Sequence, residues 1–244
     1  MEWTDEAIVL SVRPHGETAA IAELLTRSHG RHLGLVHGGR GRTRRPILQP
    51  GNHVTAQWRA RLADHLGTLT LDLKHPHAAE LLDRRLGLLG LECLTTLARL
   101  LPERDPHPNL FEVTLFVLGF LSDDAIWPAL YARWELALLE ELGFGLDLTT
   151  CAVTGSNDYL AYVSPRSGRA VSMAAGEPYR DRLLSLPRLL IGGGAATASP
   201  NDVAAALRLT GHFIARDVQA PHGLKMPDAR DRVMRWLQST SFEL

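Results

Sequence analysis

Between Arg27 and Arg61 the chain carries eight arginines, at 27, 31, 40, 42, 44, 45, 59 and 61, and no aspartate or glutamate. The whole chain has a net charge of −1, so everything outside that window carries −9. Positive charge concentrated on one segment of an otherwise acidic chain is chemistry for a polyanion. Each guanidinium that neutralises a phosphate releases condensed counterions, and the gain requires no base to be read. At the centre of the window Gly38-Gly39-Arg40-Gly41-Arg42 places three glycines in four positions, which raises the entropy cost of ordering a strand or helix and predicts a mobile cationic loop. Arg40, Arg42, Arg44 and Arg45 fall on that loop and Arg31 precedes it. Further on, Trp58 stands beside Arg59 and Arg61. An aromatic among cations offers a stacking face worth about 1–3 kcal/mol per unpaired base, and a tryptophan on a half-buried strand serves equally as barrel core.

Other constellations do not complete a site. His15-Gly16-Glu17 has the opening of a zinc-deaminase signature but no Pro-Cys-x-x-Cys helix follows. His75-Pro76-His77, with Asp72 and Glu80 near, has metal-ligand residue types, yet two histidines around a proline at a junction read as a linker. Glycines 192–194 lack the Gly-Lys-Ser/Thr ending that places a lysine and a hydroxyl on phosphate and magnesium. No Gly-x-Ser-x-Gly elbow is present, and Glu140 and Glu141, being adjacent on a helix, point in different directions. No catalytic residue, cofactor or metal is expected, and the chain reads as a non-enzyme.

The first 75 or so residues carry strand patterns: Ala7 to Val12, Thr18 to Leu25, Leu33 to Val36, His53 to Ala60 and Leu66 to Leu73, with Leu69, Leu71 and Leu73 alternating against Thr68, Thr70 and Asp72. Five short strands with glycine-rich turns predict a closed barrel. Past residue 78 the period becomes helical, from Leu82 to Leu100 until Pro102, then over Leu110 to Leu121 and Pro128 to Leu142. The third of these puts Leu130, Trp134, Leu138 and Leu142 on one stripe, with Gly143 suited to the C-terminal cap. Residues 151–176 turn glycine- and serine-rich around a short β-like stretch at Tyr159 to Val163, and a helix resumes behind Ser199-Pro200 with Asp202 in capping position, running to about Val218. The class is therefore α+β, divided into 1–78 and a mostly helical 79–244.

Cys93 and Cys151 follow no disulfide spacing, so a reducing compartment is expected, and the acidic N-terminus with no apolar region behind it predicts no export; a cytoplasmic location is expected. The most apolar run, Leu110 to Leu121, is well short of the roughly 20 residues that span a bilayer and contains Glu112.

Four stretches in this order resemble the RecO family of recombination mediators: Gly16-Glu17-Thr18 with Leu25-Thr26 and Gly30-Arg31; Val36-His37-Gly38-Gly39-Arg40; Leu48-Gln49-Pro50-Gly51; and Arg133-Trp134-Glu135-Leu136-Ala137-Leu138-Leu139 with Leu142-Gly143-Phe144-Gly145. Leu224-Lys225 and Ala229-Arg230 add a fifth. The resemblance implies an N-terminal OB-fold barrel, a helical domain, and a zinc-ribbon-like module, here residues 147–178. It implies DNA contacts at Arg31, Arg40, Arg42, Arg44, Arg45, Trp58, Arg59 and Arg61, binding of single- and double-stranded DNA, and annealing of complementary strands. Its implied partners are RecR and the C-terminal tail of single-strand-binding protein, with Arg133 on the rim of the tail's pocket, and recombinase loading as the outcome. The sequence departs from zinc-bearing members of the family. Cys151 stands alone, Thr154 occupies the second position, and Ser172 and Ala175 stand near the other pair. One thiolate does not hold a tetrahedral zinc, so the module is expected to be held by packing of Tyr159, Tyr162, Val163 and Val171. The alternative reading is an OB-fold scaffold for protein or RNA with no annealing activity.

Overall fold

The computed structural model describes residues 1–62 and 64–240; Ala63 and residues 241–244 lie outside the described residues. Five strands come first: β1 (Glu2–His15), β2 (Ala19–Thr26), β3 (Gly30–Val36), β4 (His53–Arg59) and β5 (Thr68–His75). They close into a barrel in the order β1-β2-β3-β5-β4, antiparallel except where Leu35 of β3 meets Thr68 of β5. That is an OB-like barrel. β1 outruns the expected Ala7 to Val12 because it serves two neighbours: Glu2 to Ile8 pair with β4, and Ala7 to His15 pair with β2.

Closure follows from the alternation. On β4, Val54, Ala56 and Trp58 are buried while Gln57 and Arg59 are exposed, as a period of two requires. Small residues (Ala7, Ala20, Ala22, Ala56) make room inside for Trp58, Leu24, Leu69 and Leu71, the mix of sizes by which a small barrel fills its interior with side chains. Leu73, expected to continue the buried row, is 41% exposed, because β5 slips register against β4 beside it, where His53 and Val54 face His75 and Leu73.

One barrel end is closed by a stack of rings. Trp3 lies parallel to His29 at 4.4 Å and to Trp58 at 5.7 Å, and His32 stands edge-on to both tryptophans. Burial, and then the positive charge of Arg104, hold the His32 imidazole down to a pKa of about 4, with donation toward the His29 backbone opposing them. A histidine whose folded pKa is lowered resists protonation that the unfolded chain accepts. Stability therefore falls as pH drops from the unfolded value near 6.5 toward 4. Between pH 7 and pH 4.5 this group is expected to remove about 2–3 kcal/mol, and His32→Leu should shrink the acid-induced loss by that amount. Urea titrations at both pH values check it; equal acid sensitivity in the two proteins contradicts it.

Helices follow the barrel: α1 (His77–Glu80), α2 (Arg85–Ala98), α3 (Pro108–Phe120) and α4 (Trp127–Glu141). Then come β6 (Leu160–Val163), β7 (Ala170–Ser172), α5 (Met173–Gly176), β8 (Leu184–Ser185), α6 (Pro200–Phe213), which runs on as a π-turn to Gln219, and α7 (Asp228–Thr240). The chain divides into two compact units, Met1–Asp124 and Ala125–Leu244. Strand gives way to helix at residue 77, near the expected boundary, while the unit that contains the barrel runs on through α3. No helix among the described residues is long and apolar enough to cross a membrane.

In the second unit the local signals read from sequence are met. Ser199 and Asp202 form a reciprocal capping box on α6, and Gly143 ends α4 at φ +83°, with Phe144 N–H donating to Leu139, the left-handed cap that glycine adopts without a Cβ penalty. The buried face of α4 is broader than the expected stripe: Trp127, Tyr131, Trp134, Leu138 and Leu139 are buried, and Leu130 and Leu142 lie at its edges. On that face sits Glu135, fully buried, joined through both oxygens to Arg230 of α7 at 2.7 and 2.8 Å and accepting from the Thr210 hydroxyl. A Cβ on Gly211 would come within 2.6 Å of the Arg230 guanidinium, so the glycine makes room for that arginine.

Candidate nucleic-acid interface

The glycine-arginine segment after β3 is neither strand nor helix but a succession of hydrogen-bonded turns. Gly39 donates to Val36, Gly41 to Gly38, and Arg44 and Arg45 both donate to Gly41. Two arginines anchor it: the Arg40 backbone N–H reaches Thr18 and its guanidinium donates to the carbonyls of Gly16 and Glu17, while Arg44 Nη1 donates to the carbonyl of Leu71. Both keep their charge, since carbonyls neutralise nothing.

The turns form one wall of a surface trough. One groove, of about 490 Å³, is lined by Val12, Pro14, Gly39, Arg40, Arg45 and Leu48 among others. A second, of about 420 Å³, is lined by Arg42, Arg45, Asn52, Ala78, Ala79 and Leu82 among others. Arg45 and Gln49 belong to both, so the two adjoin and Arg40, Arg42 and Arg45 border them. Sequence reading missed the far wall: it comes from α1, a single turn too short to give a periodic signal, with Ala78 N–H donating to the Asn52 side chain at 3.2 Å.

The eight arginines of the window do not form one patch. Arg27 pairs with Glu6 and Glu112, Arg31 with Glu23, and Arg59 with Glu2, all acids from outside the window. Arg40, Arg42, Arg44, Arg45 and Arg61 have no carboxylate partner among the described residues. Arg31 was expected to touch DNA, but its side chain is only 18% exposed; its guanidinium holds Glu23 and the carbonyl of Leu101, tying β3 to the segment after α2. Glu23 also takes Arg99 and the Ser11 hydroxyl. Its burial works against ionisation and these donors outweigh it, holding the carboxyl below its ordinary value. Arg59 is 73% exposed but donates from two of its nitrogens to one Glu2 carboxylate oxygen. Arg59 ends β4 and Arg61 follows it, at the opposite end from the turns, which enter β4 at its start.

Trp58 offers no stacking platform. It is 2% exposed, lies inside the barrel, and donates its Nε1 proton to the Leu66 carbonyl. Neighbours on a strand point to opposite faces, so Trp58 cannot share a surface with Arg59 or serve as core and platform together. In the second unit, Arg133 is exposed on α4.

The module expected at 147–178 supplies β6 and β7 to a three-stranded sheet in the order β7-β6-β8, whose third strand lies beyond those bounds. Cys151 is buried, accepts a hydrogen bond from Ser172 N–H at 3.2 Å and lies 3.5 Å from its hydroxyl. Burial pushes the thiol up, but hydrogen bonds from Thr154 and Ser172 outweigh it and bring the pKa to about 6. One thiol among hydroxyls does not fit a structural zinc. Of the residues expected to pack the module, Val163 and Val171 are buried, and Tyr162 is partly buried with its hydroxyl on Glu177 at 3.1 Å. Tyr159 is instead 85% exposed, at φ +50°, turned outward by the left-handed backbone that starts the strand.

Comparison with known proteins agrees with this architecture. Residues 1–76 match the family model described as recombination protein O N terminal, and residues 82–226 match recombination protein O C terminal. The chain is 55% identical over 235 residues to the DNA repair protein RecO of Methylobacterium nodulans, covering 95% of this chain and 96% of that one. It is 56% identical over 235 residues to the RecO of Rhodospirillum centenum, with 95% and 93% covered. It is 52% identical over 230 residues to that of Mesorhizobium japonicum, with 94% and 91% covered. An OB-like barrel with an unneutralised cationic trough, a helical second unit and similarity along nearly the whole chain lead to one conclusion: the chain belongs to the RecO family of DNA repair proteins.

Proposed function

We propose that this chain is a non-enzymatic mediator of recombinational repair: it binds single- and double-stranded DNA, anneals complementary strands and helps load recombinase onto strands coated by single-strand-binding protein. The observation that carries the reading is the trough bordered by Arg40, Arg42 and Arg45, whose charges no carboxylate among the described residues cancels. Turns on an OB-type barrel bring such charges to phosphate without reading sequence. Annealing needs no bond-making step, because cations placed along two phosphate chains screen their repulsion while base edges remain free to pair. Arg61 is a secondary contact at the other end of β4. RecR and the acidic, hydrophobic-ended tail of single-strand-binding protein are the proposed partners, with exposed Arg133 pairing with the tail's carboxylates, and the cytoplasm is the proposed location.

The test has two parts. Fluorescence anisotropy with an unstructured DNA oligonucleotide should give a log affinity that falls linearly with log salt, with a slope of about −3 for four phosphate contacts on a single strand. Complementary strands pre-coated with cognate single-strand-binding protein should anneal faster with the protein than without it. Binding that ignores salt, or prefers an RNA of the same sequence, favours the scaffold or RNA-binding alternative. Failure to accelerate annealing removes the mediator role.

A further inference from the structure

We propose that His75, His77 and Glu80 form a binding site for a divalent transition ion of the zinc class. The three lie where the barrel ends. His75 is the last residue of β5, and His77 and Glu80 open and close α1. Sequence alone reads His75-Pro76-His77 as a linker, but the fold turns it into a corner. The chain bends at Pro76 into a helical turn, and residues three apart on a turn share one face, so Glu80 comes back beside His77 and reaches His75.

The ligand atoms of the three residues, one from each, lie within 4.8 Å of one another. His75 Nε2 stands 2.9 Å from Glu80 Oε1, and the two imidazole rings are 4.2 Å apart, inclined at 53°. Ligand bonds of about 2.0–2.2 Å to nitrogen and oxygen put neighbouring donors roughly 3–3.5 Å apart around a tetrahedral ion, so small side-chain rotations complete the geometry with no backbone movement. Two imidazoles and a carboxylate are borderline donors suited to zinc and its neighbours rather than to magnesium or calcium, which prefer oxygen. His77 is buried while His75 and Glu80 are exposed, so the ion would rest against the protein on one side and leave a coordination position open to solvent on the other.

The site also has a structural use. α1 has no side-chain cap, and its Ala78 and Ala79 line the trough. An ion bridging His75 to His77 and Glu80 ties this turn to the barrel strand before it and so fixes the trough's far wall.

The full chain, stripped with chelator and dialysed, should take up one zinc ion per chain in calorimetric titration with zinc chloride alone, and its melting temperature should rise with zinc. His75→Gln and Glu80→Gln change exposed side chains and spare the buried His77, so their folds are expected to survive; each should weaken zinc binding at least about 10-fold and abolish the thermal shift. Cobalt, used as a spectroscopic substitute, should show visible d–d bands without the near-ultraviolet band of a thiolate ligand. The proposal is overturned by the absence of a stoichiometric site, by unchanged zinc affinity in both variants, or by a thiolate band, which would move the ion to a cysteine.

Discussion

Replacing Arg230 with methionine is expected to destabilise the second unit by about 3–5 kcal/mol, the cost of leaving one member of a buried ion pair uncompensated. Glu135 is fully enclosed on α4, and its charge is answered by the two Arg230 nitrogens and the Thr210 hydroxyl. Without the guanidinium a carboxylate remains in the interior with one hydroxyl, and the Leu207 carbonyl loses one of its donors as well. Against a typical domain stability of about 5–15 kcal/mol this is a large share. The pair itself need not contribute much, because removing both charges together is often neutral or stabilising. The double variant Glu135→Leu, Arg230→Met should therefore recover most of what the single variant loses. Urea unfolding followed by far-ultraviolet circular dichroism distinguishes the two. A single variant as stable as the parent would contradict the assigned cost.

The second large effect is on DNA. Replacing Arg40, Arg42, Arg44 and Arg45 together by glutamine should lower affinity for a single strand at 0.1 M salt by about 10²–10³-fold, and flatten the log–log salt slope by nearly 3, since each lost phosphate contact removes roughly 0.7 from it. Arg42 and Arg45 can be tested first, because the hydrogen bonds that hold the turns in place use Arg40 and Arg44 instead. That double replacement should flatten the slope by about 1.4 without altering the melting temperature. Arg59→Gln provides the contrast: its charge is already met by Glu2, so its slope should move less than that of Arg45→Gln. If neutralising the trough leaves the slope untouched while Arg59→Gln changes it, the phosphate path runs along β4 and not through the trough.

Much of the architecture was legible because it rests on short-range rules. Alternation on β4 and β5 marked barrel strands, the Ser199 and Asp202 spacing marked a capped helix, and Gly143 marked a helix end. The candidate interface was legible only in part. A run of arginines free of nearby acids in sequence says nothing of acids brought in by folding, and Glu2, Glu6, Glu23 and Glu112 arrive from other elements to pair with Arg59, Arg27 and Arg31. The ambiguity at Trp58 was likewise settled by its neighbours: the ring packs in a core with four alanines and beside Gly34, and its one polar atom is satisfied inside. Nothing in the residues around Glu135 indicates that it is buried, since its partner stands 95 positions away.

By itself, the order of the residues determined that this chain makes a small barrel followed by helices, that it carries a concentrated positive charge on a glycine-rich connection, and that Cys151 stands without a second cysteine near it. Those are consequences of periodicity, composition and donor count, each of which is local. The tertiary structure alone decided which charges remain uncancelled, which aromatic ring lies inside, and which histidines converge at the corner after β5. Each of these depends on side chains from distant segments meeting within a few ångströms, and the energies involved, Coulombic pairing and burial, vary steeply over just those distances.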